Sequence, residues 1–247
     1  MSTGSGDEPV PHRRHNDRQR AHFDVATLRN PRMVPSRGAY VERHLDRVVA
    51  AAGLVPGQRI LDVGCGLGKF SLRLLDRGYD VSGLDLSPDL LDALRTHLDG
   101  APMDLHHGDV LDPPEELHGG FDAVVGFFML HHLPDLAAGF RGVRRCLRPG
   151  GVACFLEPNA YSPLFPIQIT MTPKMSWRSD KGVFAMRRGA LIDAMAAAGF
   201  DSIRHRWTGL FPPVIANRGG ARIEDGLDRL RLPGPLSSFQ VISGSAA

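Results

Sequence analysis

An aspartate followed by glycines at every second position, Asp62-Val63-Gly64-Cys65-Gly66-Leu67-Gly68, is the stretch of this chain whose residue types and spacing suggest chemistry most directly. Ile60, Leu61 and Val63 before the turn suit a parallel strand covered on both faces, and Phe70 to Asp76 carries apolar residues at helical spacing. Glycines between a strand and a helix let the backbone turn sharply and approach a ligand with no Cβ in the way, which marks a nucleotide-type cofactor site. The dinucleotide fingerprint G-x-G-x-x-G requires a third glycine where this chain has Lys69, so the pattern suits a ligand without a pyrophosphate. A carboxylate at Asp62 would bond an ammonium group, directly or through water.

Asp85 lies 21 residues after Gly64, about where an acidic side chain reaches the two hydroxyls of a ribose in nucleotide-binding sheets. Its alternative role is the N-cap of the next helix, which Ser87, followed by Pro88, already fills. Asp109, in Gly108-Asp109-Val110, is either a ligand contact or a turn aspartate. Gly126 to Asp135 holds the adjacent His131 and His132. An imidazole titrating near pH 6.5 can take a proton from an attacking hydroxyl, and His131 is the better candidate base. Glu157 and Asn159 offer two oxygens but no third ligand, so no metal is expected, and either could orient an acceptor or a lid. Cys65, Cys146 and Cys154 lack C-x-x-C spacing and read as reduced thiols, Cys65 as a small residue filling the turn.

The elements that must position these residues alternate. A helix at Tyr40–Ala52, with Val41, Leu45, Val48 and Val49 on one face, precedes strands at about 59–63, 79–84, 103–107, 121–126 and 151–157, with helices at 69–76, 88–98 and 135–147 between them. This is the pattern of a doubly wound α/β sheet, whose ligands sit at the carboxyl ends of the strands. A helix at about 187–198, a strand at 200–206, a helix around 217–231 and a strand at 238–243 bring the total to seven strands.

Asp62 to Gly68, Val81 to Ser87, His107 to Val110 and Phe121 to Val125 together resemble the class I S-adenosylmethionine (SAM) dependent methyltransferases, over roughly residues 40–200. The resemblance implies a seven-stranded, mostly parallel sheet of order 3-2-1-4-5-7-6 with the last strand antiparallel. It implies SAM as cofactor, leaving S-adenosylhomocysteine as product, bound by Asp62, Gly64, Cys65, Gly66, Gly68, Asp85, Leu86, Asp109, Val110, Phe127 and Phe128. Asp109 would take the adenine amino group, and the Val110 amide a ring nitrogen. His132 would pack and hydrogen-bond within the loop under the cofactor.

Net charge of +2 with scattered arginines, and Gly126-Phe127-Phe128-Met129 where enzymes methylating nucleic-acid bases or protein amides carry Asn/Asp-Pro-Pro-Tyr/Phe, exclude a nucleic-acid partner. Residues 1–20 read as a flexible polar tail and 21–247 as one domain, with an acceptor-covering insertion at about 158–186 whose Tyr161, Phe165, Ile167, Met171, Met175 and Trp177 could wall an apolar cavity. No apolar run approaches a membrane span or signal peptide, so a cytoplasmic monomer or homodimer is expected. The expected activity is methyl transfer to a small molecule, at oxygen first, with nitrogen and carbon open. The alternatives are a protein of the same fold that binds SAM without transferring methyl and, opposed by Lys69, an NAD-dependent oxidoreductase.

Overall fold

The structure, a computed structural model, describes residues 34–159, 161–163, 165, 181–210, 226 and 234–247. The chain runs α1 (Ala39–Ala52), β1 (Arg59–Val63), α2 (Ser71–Asp76), β2 (Asp80–Asp85), α3 (Pro88–Leu98), β3 (Asp104–His107) and β4 (Phe121–Phe127). It continues with α4 (Leu136–Cys146), β5 (Leu147–Pro158), α5 (Arg188–Ala197), β6 (Phe200–Thr208) and β7 (Phe239–Ala246). Single 3-10 turns stand at Glu115–Leu117, Leu130–His132, Lys181–Ala185 and Gly234–Leu236. The sheet has the order β3-β2-β1-β4-β5-β7-β6, parallel from β3 through β5 and with β7 antiparallel to both its neighbours, as expected.

Local chemistry accounts for most boundaries. The Ser87 hydroxyl accepts the Leu90 N–H at 3.1 Å and Pro88 opens α3, while Asp135 caps α4 through the Ala138 N–H at 2.9 Å. Gly53, at φ +65, ends α1 in the left-handed conformation. Several boundaries differ from expectation, with β6 running on to Thr208 and β7 to Ala246. The helix expected from 69 begins at Ser71, because Gly68 donates to the Cys65 carbonyl and holds the preceding residues in a turn. β5, expected at 151–157, starts at Leu147, which pairs with Phe121 before a register shift and the Pro149-Gly150-Gly151 stretch. The tail at 1–20, most of the insertion with Ile167, Met171, Met175 and Trp177, and all of the 217–231 helix but Gly226 lie outside the described residues.

Side-chain alternation along the central strands divides the core into two layers. Leu61, Val63, Val124 and Phe155 face Phe140 and Val143 of α4 and Leu191 and Met195 of α5. Ile60, Val125, Cys154 and Leu156 face Val41, Leu45 and Val48 of α1 and Leu74 of α2. Each fully buried aliphatic or aromatic side chain contributes about 1.5–3 kcal/mol, so both layers grip the strands whose carboxyl ends carry the polar residues. Arg77 clamps α2 to α1, pairing with Glu42 at 2.6 Å and Asp46 at 2.7 Å. Among the described residues no helix is long and apolar enough to cross a membrane.

Candidate functional site

The glycine turn leaves β1 at the point where β2 lies on one side and β4 on the other, so the connections depart in opposite directions and open a crevice. Gly64, Gly66 and Gly68 take φ of +70°, +51° and +79°. They divide the work that the sequence assigned to them jointly. A Cβ on Gly64 would stand 3.0 Å from the Met129 Cβ, and one on Gly68 would stand 2.3 Å from a Leu94 methyl, so these two serve packing. Around Gly66 nothing lies within 4 Å of a Cβ position, which leaves its face open to a ligand.

Asp62, buried at 2 % exposure, accepts the Ser71 hydroxyl at 2.5 Å. Burial pushes its carboxyl up to about 7, and the neighbouring Asp85 charge pushes in the same direction against that hydrogen bond. A cationic group near it would restore the ionised form. The Cys65 thiol, buried with Leu91 and Leu94, is pushed up by burial and by both carboxylates, and its sulfur would lie 2.8 Å from a Cβ on Gly83. It therefore packs inward, leaving the main chain as what Cys65 can offer a ligand.

Asp85 ends β2 and holds two loops together, accepting the Gly66 N–H at 2.7 Å on one oxygen and the Ser87 N–H at 2.9 Å on the other. Beside it the His107 Nε2 donates to the Leu86 carbonyl at 3.2 Å, and Gly108 N–H donates to the Asp85 carbonyl at 3.0 Å. Asp109 accepts the Leu111 N–H at 2.9 Å in a turn, while Val110 is buried in the core below.

After β4, Phe127 stacks on Phe70 with ring centres 3.9 Å apart and planes 7° from parallel, which buries its ring. Phe128 then adopts φ +59°, a conformation that costs a side-chain-bearing residue about 1–2 kcal/mol. Glu157, fully buried, holds the loop there, with one oxygen accepting the N–H groups of Met129 and Leu130 at 2.8 and 2.7 Å and the other accepting His131 Nδ1 at 2.6 Å. The two histidines have different settings. His131 is the buried, tethered one, and His132 is half-buried with its ring 3.9 Å from that of His131. A neutral His131 that donates from Nδ1 keeps an unshared pair on Nε2. It also lines a cavity of about 520 Å³ with Leu133, Leu136, Gly182 and Met186.

Sequence reasoning passed over Ser71 and His107 and left Glu157 and Asn159 without definite partners. The signal was present in two of them. A lone carboxylate or amide at the end of the apolar run Val152–Leu156 must be paired if that strand is buried, and both are. Asn159 donates to the Gly234 and Ser237 carbonyls at 2.7 Å each and accepts the Tyr161 N–H at 3.1 Å.

Residues 60–151 match the family model described as a methyltransferase domain. A ubiquinone biosynthesis O-methyltransferase of Aromatoleum aromaticum is 38 % identical over 117 residues, 47 % of this chain and 50 % of that protein. The chain thus spans about half the length of this curated relative. A SAM-dependent methyltransferase structure from Thermotoga maritima superposes with a TM-score of 0.64 at 18 % identity, covering 92 % of this chain and 99 % of the other. A phosphoethanolamine N-methyltransferase of Haemonchus contortus, solved with S-adenosyl-L-methionine, superposes with a TM-score of 0.61 at 17 % identity over 96 % of this chain and 60 % of that one. The sheet described above is the fold of these enzymes.

Proposed function

We propose that this chain, whose residues 60–151 match a methyltransferase domain, transfers a methyl group from SAM to a small-molecule acceptor, at oxygen in the first instance. The observation that carries this reading is the convergence at one crevice of an open Gly66, a buried Asp62 that has no cationic partner among the described residues, and Asp85 at the end of β2 beside the glycine turn. These groups fit a ligand that combines an ammonium group with a ribose diol.

Asp62 would hold the ammonium, Asp85 the ribose hydroxyls, and Asp109 with the Val110 amide the adenine, while the backbone of Gly64 to Gly68 and of Leu86 lines the approach. Phe127 sets the floor through its stack on Phe70, and Phe128 packs beside it against Phe70, His44 and Phe239. When bound, the sulfonium supplies a methyl group already activated for transfer. The protein's own part is therefore alignment, which alone can contribute about 7–11 kcal/mol, together with a place for the acceptor's proton. His131 Nε2 would receive that proton, with Glu157 orienting the ring through Nδ1 and stabilising the imidazolium. The relatives named as ubiquinone biosynthesis O-methyltransferases support oxygen as the acceptor atom.

Calorimetric titration with SAM, S-adenosylhomocysteine and NAD tests the reading. Micromolar binding of the first two without NAD is expected, and Asp85→Ala should weaken SAM at least a hundredfold. His131→Ala should lower kcat and spare SAM affinity. Binding of NAD alone would overturn the assignment, and SAM binding without methyl transfer to any hydroxylated ring would favour a non-methylating role.

A further inference from the structure

Past the carboxyl ends of β5 and β6 lies a cavity of about 460 Å³ walled by Tyr161, Arg187, Arg188, Trp207, Gly234 and Pro235. Its walls are held by one buried amide. Asn159 accepts the Tyr161 N–H and donates to the carbonyls of Gly234 and Ser237, so the β5 end and the 234–237 turn are fixed against each other. Gly234 sits close against the indole, where a Cβ would stand 2.8 Å from the Trp207 ring. His205 meets Trp207 edge to face at 4.5 Å and is itself paired with Gln240 at 2.8 Å. The Arg187 guanidinium lies 5.8 Å from the Tyr161 ring centre.

The charge of this cavity is one-sided. Arg187 and Arg188 open α5, where the helix macrodipole disfavours cations, and no acidic residue stands in its first turn. None of the described residues lining the cavity is acidic. Two guanidiniums beside a tyrosine and a tryptophan provide forked donors for an anion and flat apolar faces for a ring. The segment that bears them, residues 182–194, also lines the cavity that contains His131.

We propose that this cavity is a subsite for a planar acceptor carrying an anionic group, a ring carboxylate or a ring phosphate. Arg187 and Arg188 take the anion, and Tyr161 and Trp207 contact the ring. The inference rests on the methyltransferase reading and adds the charge and shape of the acceptor. Both guanidiniums are exposed, so the attraction is screened by salt.

The test titrates benzoate, phenyl phosphate and phenol calorimetrically into the full-length protein saturated with S-adenosylhomocysteine, at low and high salt. One of the anions should bind at least tenfold more tightly than phenol, and the better anion identifies carboxylate or phosphate as the natural group. That advantage should shrink at high salt and vanish in the R187Q/R188Q variant, whose S-adenosylhomocysteine affinity stays unchanged. Equal affinity for all three probes, failure of both anions to bind, or an advantage retained by the double variant overturns the subsite and leaves the methyltransferase reading standing. If the wild-type protein does not bind S-adenosylhomocysteine at all, that reading falls and the acceptor subsite with it.

Discussion

Over β1, β2 and β3 the carboxyl edge is assembled from near neighbours: Asp62 meets Ser71 9 residues on, and Asp85 meets Gly66 19 residues back. Over β4, β5 and β7 it is assembled from buried side chains whose partners are remote. Glu157 reaches back 28 residues to Met129, Asn159 forward 75 to Gly234, and Gln240 back 54 to the Met186 carbonyl. The β1–β3 half, the proposed cofactor half, is thus held by contacts within 20 residues, whereas the β4–β7 half, the proposed acceptor half, depends on contacts that close over the whole sheet.

The contrast can be broken most forcefully at Glu157. Glu157→Ala leaves two backbone N–H groups and His131 Nδ1 without their buried acceptor and should cost about 3–5 kcal/mol in urea unfolding, with hydrogen exchange rising in 128–132 before it rises in 60–68. Equal loss of protection in both segments would show that the halves are not separable. Next is Gly68→Ala, which drives a methyl into Leu94 at a left-handed position and should cost about 2–4 kcal/mol, against about 1–2 kcal/mol for Gly66→Ala. Gly66→Ala should instead lose most SAM affinity, so the two neighbouring glycines separate stability from binding. Asn159→Ala should cost about 1–3 kcal/mol and leave S-adenosylhomocysteine affinity near normal, since its three bonds all lie in the acceptor half.

The most gradual effect, spread over about three pH units, is a pH dependence from Asp62. Its folded-state value is raised from 3.8 to about 7, so the folded protein holds more protons than the unfolded chain in that interval. The stability it contributes is present below about pH 4 and is lost as pH rises through about 7, at no more than about 1.4 kcal/mol per pH unit. Asp62→Asn should remove this slope, and the variant should gain on the wild type as pH rises from 5 to 8. A cationic ligand favours the charged carboxylate, so SAM binding at pH 6 should release a proton, measurable by calorimetry in buffers of different ionisation enthalpy. Parallel stability curves for the two proteins would remove Asp62 as the titrating group.

The alternation of strands and helices and the Ser87 cap were legible because each depends on short-range pattern, whereas the strand order came from the resemblance to a known family and the Asp135 cap was not foreseen. The separate duties of Gly64, Gly66 and Gly68 were not, since what a Cβ would meet is decided by Met129 and Leu94 arriving from other elements. The settings of His131 and His132 were equally hidden. Two adjacent identical residues carry no local signal of which one a carboxylate 26 residues away will claim.

The sequence by itself determined that a parallel sheet would present an aspartate, a glycine turn and further carboxylates along one edge, because strand periodicity and glycine's freedom at positive φ are local properties. Only the tertiary structure decided which glycine keeps an open face, that Asp62 is buried against the Ser71 hydroxyl, and that Glu157 and Asn159 organise the opposite half. Those outcomes depend on burial and on hydrogen bonds spanning many residues, and a buried polar group is held by whichever partner the closed fold brings within about 3 Å.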